Sequence, residues 1–295
     1  NHTMLFLSQL INGLQLGSIY ALVALGYSMV YGIIMLLNFA HGDIIMMGGY
    51  FALVSLAASS NPVLAVIATV VGCVVLAVVI EKVAYKPLRQ APRISLLITA
   101  IGVSLLLQNL AQLIWTANTR AFPSTMIIPA VTFNLGALSI SLNVIVTIVV
   151  AVISMVLLAF IVQKTKMGKA MRAVSEDTEA AQLMGINVNN TITYTFIIGS
   201  ALAGIGSILY CCRYPIVNPT MGSLLGLKAF VAAVLGGIGS IPGAMIGGFA
   251  IGLAEVLVTS IGLSAWTDAV VFAVLIVVLL IKPTGFMGAS MTEKV

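Results

Sequence analysis

KTKMGKAMRAVSEDTEAAQLMGINVNN, residues 164–190, is the longest strongly polar run in a chain that is otherwise almost entirely apolar. It holds four of the thirteen Lys and Arg and three of the eight Asp and Glu. Apolar runs of spanning length flank it at 142–162 and 192–212, so it reads as a loop outside a bilayer. The loop also carries marks of order. Ser175 is a capping residue type, and Glu176 and Asp177 then fall in a first turn, where the helix dipole favours carboxylates. Gly185 suits the left-handed position just past a helix end. The spacing predicts a helix over about 176–184, roughly 13 Å long at 1.5 Å per residue. Two turns need a surface to rest on, and the small Ala180 and Ala181 beside Met184 admit one closely. That surface is either the chain's own body or lipid headgroups, or else a second protein.

Working outward, composition sets the class. With 61% hydrophobic and 7% charged residues, the chain has too much apolar surface for a soluble domain, and its runs of about 20 apolar residues suit a ~30 Å hydrocarbon core. Runs such as VIATVVGCVVLAVVI, residues 66–80, lack the alternation of a membrane barrel. The expected fold is therefore all-α, a polytopic transmembrane helical bundle of about eight or nine spans. The spans read at about 8–30, 40–58, 63–82, 94–115, 142–163, 191–212, 226–240, 244–262 and 268–282. The segment 226–240 is the weak member, either a short span or a re-entrant one. One membrane domain over 4–295 accounts for the chain, with Asn1 to Thr3 read as a remnant ahead of Met4.

The net charge of +5 does not point to nucleic acid, because the basic residues are sorted by loop. Lys82, Lys86, Arg89 and Arg93 fill one loop and Lys164, Lys166, Lys169 and Arg172 another, while 116–141 has only Arg120. The positive-inside rule places the first two loops in the cytoplasm and the third outside. Parity then puts the N-terminus outside and Lys282 and Lys294 inside. The three cysteines, Cys73, Cys211 and Cys212, read as small apolar residues.

Two stretches interrupt the spans. In GIIMLLNFAHGDIIMMGG, residues 32–49, Asn38, His41 and Asp43 sit between apolar runs, as a solvated turn or as part of a transport path. His41 has no second His or Cys near it, so no metal site is expected. In LGGIGSIPGAMIGG, residues 235–248, Gly236, Gly237, Gly239 and Pro242 are expected to break the helix. The spacings Gly243 to Gly247 and Gly248 to Gly252 allow helices to approach closely. No Gly-Lys-Ser/Thr follows these glycines, which excludes a phosphate loop. Lys228 and Glu255 lie within apolar spans, where each costs about 2.5–3.5 kcal/mol at mid-membrane. They either pair with each other, or Lys228 snorkels outward while Glu255 faces water.

These residues also carry a resemblance. Glu179-Ala180-Ala181-x-x-x-Gly185 looks like the EAA motif of ABC importer permeases. YGIIMLLNFAHGDI, EKVAYKPLRQAPR, RAVSEDTEAAQLMGIN and KAFVAAVLGGIGSIPGAMIGG are similar to the high-affinity branched-chain amino-acid permease family, its H-type subunit in particular. The resemblance covers nearly the whole chain after Met4. It implies a multi-pass importer subunit of the bacterial inner membrane that is not itself an enzyme and carries no cofactor. It further implies a second related permease, two cytoplasmic ATPases that bind ATP and Mg, and an external binding protein. On this resemblance Ser175, Glu176, Asp177, Glu179, Ala180, Ala181, Met184 and Gly185 couple to an ATPase. The cargo is a branched-chain or other small amino acid, with urea and short amides also carried within the family. An ion-coupled secondary transporter using Glu255 and Lys228 is the alternative in a different class.

Overall fold

The computed structural model describes residues 2–35, 37–136 and 138–288. Asn1 and Lys294 lie outside the described residues. The described chain is a helical bundle: α1 (His2–Ile34), α2 (His41–Ser59), α3 (Pro62–Ile80), α4 (Arg93–Trp115), then β1 (Arg120–Ala121), α5 (Ser124–Ile127) and a β2–β3 hairpin (Thr132–Leu135, Leu138–Ser141). There follow α6 (Leu142–Lys164), α7 (Lys166–Glu176), α8 (Thr178–Leu183), α9 (Val188–Arg213), β4 (Ile216–Val217), α10 (Met221–Gly236), α11 (Ile241–Ser260) and α12 (Thr267–Ile281). Eight stretches are long and apolar enough to cross a membrane, and α10, at 16 residues, is shorter.

Local chemistry explains most boundaries. Asn61 Oδ1 accepts from the amides of Val63 (2.9 Å) and Leu64 (3.4 Å) with Pro62 at the first helical position, so α3 starts sharply. Ser141 caps α6 and Asn187 caps α9 in the same manner. Pro242 does not break a helix but opens α11, behind the Ser240 cap. The weak span is displaced from its expected position. It runs 221–236 rather than 226–240, because Gly237 (φ 106°) and Gly239 (φ 87°) turn the chain where continued helix was expected.

α10 also crosses the bundle rather than re-entering. Before it, β4 pairs antiparallel with β1, so its start shares a side with the α4–α6 connection. After it, the Gly239 amide donates to Ser28 Oγ at 2.9 Å near the far end of α1. α10 therefore joins the two ends of the bundle, beside the eight longer apolar helices among the described residues.

α1 lies at the centre, packed between α11 and α9, whereas α4 and α12 are largely exposed. α2 and α3 form an antiparallel pair through Ser60 and Asn61. Beyond α3 the helix continues as a π turn (Glu81–Tyr85) and a 3-10 turn (Lys86–Leu88), giving 27 residues against 19 in α2. α2 therefore begins about 12 Å short of the end that this extension reaches, at 1.5 Å per residue. The segment before it dips into the bundle, where the Tyr85 hydroxyl donates to Asn38 Oδ1 at 2.6 Å.

Candidate functional site

The polar loop folds as two helices, not one. Met167, Gly168, Met171 and Val174 recur at helical spacing and turn inward, so α7 forms on this face and takes Ser175 and Glu176 into its last turn. Ser175 is thus not an N-cap; its hydroxyl donates to the Arg172 carbonyl at 2.7 Å. Asp177 is the cap. Its Oδ1 accepts from the amides of Glu179 (3.0 Å) and Ala180 (2.9 Å), starting α8 at Thr178. Gly185 takes φ 84° as expected, with Ile186 N donating to Ala181 O and Gly185 N to Gln182 O, a Schellman closure. Ala181 is buried against the chain's own body. Ala180 and Glu179 are exposed, as are Leu183 (89%) and Met184 (83%). α8 thus presents an apolar tip away from the bundle.

A buried carboxylate ties this loop to α3. Glu81 is fully buried in the π turn, paired with the Arg89 guanidinium, and its Oε2 accepts from Thr193 Oγ1 at 3.0 Å. Arg89 also donates to Asn189 Oδ1. Thr193 and Asn189 lie in the first two turns of α9, just after the loop. Sequence reasoning took Arg89 only as a loop charge and passed over Glu81. The signal available was a Glu at the end of an otherwise apolar span.

The two glycine spacings serve two different neighbours. A Cβ on Gly243 or Gly247 would come within 2.3 Å of Gly236 O or 1.9 Å of Ala232 O, both on α10. A Cβ on Gly248 or Gly252 would come within 2.3 Å of Ala21 N or 2.2 Å of Gly17 N, both on α1. α11 is thus clasped on both sides at backbone distance. Gly237 packs against Gly288, and Gly239 against Gly32.

Lys228 and Glu255 are paired, both buried. Two partners not foreseen complete the group: Tyr20 OH donates to Glu255 Oε2 at 2.7 Å, and Lys228 Nζ lies 2.7 Å from Asp268 Oδ1 at the start of α12. The signal for Asp268 was an acidic residue at the outer start of the last span.

Asn38, His41 and Asp43 are all buried, which rules out a solvated turn. The recessed start of α2 carries them inward. The His41 ring meets Tyr27 edge-on at 4.8 Å, and its Nε2 has no hydrogen-bond partner among the described residues. Asp43 accepts from Ser104 Oγ and, at 3.1 Å, from Gln108 Nε2. Gln108 Nε2 also reaches Ser223 Oγ at 2.8 Å. Ser104, Gln108 and Ser223 went unread in the sequence, although a Ser and a Gln four residues apart in an apolar span were visible.

Comparison with known proteins agrees with this architecture. The family described as "Branched-chain amino acid transport system / permease component" matches residues 9–279. The high-affinity branched-chain amino acid transport system permease protein BraD of Pseudomonas aeruginosa is 42% identical, and its counterpart LivH of Escherichia coli 43%, each over 98% of this chain and 98% of the relative. A probable branched-chain amino acid transport permease of Methanocaldococcus jannaschii is 30% identical over 92% of this chain and 90% of its own length. No solved structure matches. Full-length identity on this scale, on a bundle of membrane-spanning helices, identifies the chain as a multi-pass transport permease belonging to the branched-chain amino acid transport system permease family.

Proposed function

We propose that the chain is the membrane subunit of an ATP-driven importer of branched-chain or other small amino acids in a bacterial inner membrane. It pairs there with a second related permease, receives cargo from an external binding protein, and is driven by two cytoplasmic ATPases that carry ATP and Mg. The observation that carries this reading is the tip of α8. Leu183, Met184 and Ala180 are exposed on a helix fixed at one end by Asp177 and at the other by Gly185. Apolar side chains on a rigid, aqueous-side helix favour a partner groove over lipid or solvent. The names of the full-length relatives support the choice of cargo.

An ion-coupled mechanism through Lys228 and Glu255 fits less well, because both charges are already held by Tyr20 and Asp268. The test is leucine uptake into proteoliposomes that hold the complex co-purified from its co-expressed subunits. Uptake that needs ATP and binding protein, and survives a protonophore, supports the reading. Uptake that persists without ATP and collapses with the protonophore overturns it.

A further inference from the structure

Asp43 is a carboxylate with almost no access to solvent, in the first turn of α2, deep within the bundle. Ser104, the donor to its Oδ2, is the twelfth of the 23 residues of α4, so the group sits near mid-span. Every ion pair among the described residues uses Arg89 or Lys228, and none involves Asp43. Two neutral hydrogen bonds and the helix dipole offset only part of the cost of a carboxylate at such depth. Held as a carboxylate, Asp43 would gain most from a cation.

The surroundings show where it would come from. α2 and α10 touch at glycines here, Gly42 against Gly222 and Gly226, so no side chain separates their backbones. Gln108 spans from Asp43 to Ser223, and Ser223 is exposed. Beside it Leu224 and Leu227 of α10 are also exposed, and so is Asn109 of α4. Ser223, in the first turn of α10, and the half-buried Gln108 thus carry a polar link from the buried Asp43 to the uncovered face, which does not suit hydrocarbon. They suit a polar passage.

We infer that Asp43, with Ser104, Gln108 and Ser223, is the mid-membrane station at which the chain receives the ammonium group of a passing amino acid. This rests on the reading of the chain as an amino-acid permease. Gln108 closes the station in the empty state and yields its bond to Asp43 when the ammonium arrives. The same cationic chemistry is available from a lysine or arginine of the second permease, and the test separates the two sources.

The experiment compares wild type, Asp43→Asn, and the exchange Asp43→Asn with Gln108→Glu, each in the full co-expressed complex, reading subunit assembly by gel filtration and leucine uptake in proteoliposomes. The exchange moves the carboxylate one hydrogen bond away and keeps both side-chain shapes, so it yields a folded complex even where the single variant does not. Loss of a charge-assisted contact lowers uptake by about ten- to a hundredfold. The expected result is this loss in an assembled Asp43→Asn complex and substantial recovery in the exchange. Uptake within about twofold of wild type for Asp43→Asn overturns the inference, since a tenfold effect is the minimum that one such contact predicts. An assembled exchange variant that does not import also overturns it. If Asp43→Asn releases the second permease, the cation belongs to that subunit and the inference is again wrong. Failure of the wild-type complex to import any amino acid instead defeats the functional reading beneath it.

Discussion

Tyr20 and Glu255 are 235 residues apart in sequence, yet the tyrosine hydroxyl donates to the glutamate Oε2 at 2.7 Å, placing a group from α1 inside an ion pair formed by α10 and α11. Asp268 adds α12, so four helices converge on one lysine and its partners. The consequence is an asymmetry in what each charge is worth.

Lys228→Met should be the most damaging change in this group. It leaves Glu255 buried without a cation, which typically costs about 3–5 kcal/mol. Asp268 is 47% exposed, so Asp268→Asn should cost under about 1 kcal/mol, as surface pairs do. Melting temperatures of the purified chain in one detergent check the order. Reversal of Lys228 and Glu255 together should recover only part of the loss, because the new glutamate at 228 would face Asp268. Full recovery would mean that Asp268 does not contribute.

Alanine at Gly252 or Gly248 should destabilise the bundle by at least about 1–3 kcal/mol, the usual range for overpacking. The added Cβ would meet the α1 backbone at 2.2–2.3 Å, and backbone cannot swing aside. Gly102→Ala is the control: its Cβ meets nothing within 4 Å, and it should be neutral or stabilising by up to about 1 kcal/mol within a helix. Thermal melts of the three variants decide, and equal melting temperatures would remove the clasp as an explanation.

Those glycines mark how far the sequence could be read. Their four-residue spacing announced close packing, but spacing alone does not say that 243 and 247 face α10 while 248 and 252 face α1. The polarity of Asn38, His41 and Asp43 was equally visible. Their depth was not, since it follows from where α2 starts relative to the overhanging end of α3. Ser175 read as the cap and Asp177 as a first-turn residue; the inward face of Met167, Met171 and Val174 overturned that by extending α7 through Ser175 and leaving Asp177 as the cap. Tyr20 went unread, because a phenol in a span reveals its hydrogen bond only in three dimensions.

Changes on the two sides of α8 should separate docking from folding. Leu183→Glu combined with Met184→Glu should leave the yield of the chain unchanged and lower ATPase co-purification by about tenfold, the effect of losing one or two apolar anchors. Ala181→Trp should instead reduce folded yield, because Ala181 is buried. Retention of the ATPases by the double glutamate variant would show that this tip is not their contact.

Arg89→Ala should loosen the junction between α3 and α9 by leaving the buried Glu81 with only the Thr193 hydroxyl. A cost of about 3–5 kcal/mol is expected for a carboxylate stranded in this way, whereas Arg89→Ala combined with Glu81→Gln should regain most of it. Limited proteolysis of the loop between α3 and α4 reports the change, and equal cleavage in single and double variants would refute the latch.

The clasp of α11 between α1 and α10 also sets an order of assembly. Ribosomes deliver α1 first and α11 nearly last, so the small-residue face of α1 at Gly13, Gly17 and Ala21 stays without its mate while the intervening helices are threaded into the bilayer. Closure of the bundle is therefore a late, post-insertion event, and a nascent chain halted before residue 241 would be fully inserted yet still open along the seam that its first helix reserves for its eleventh.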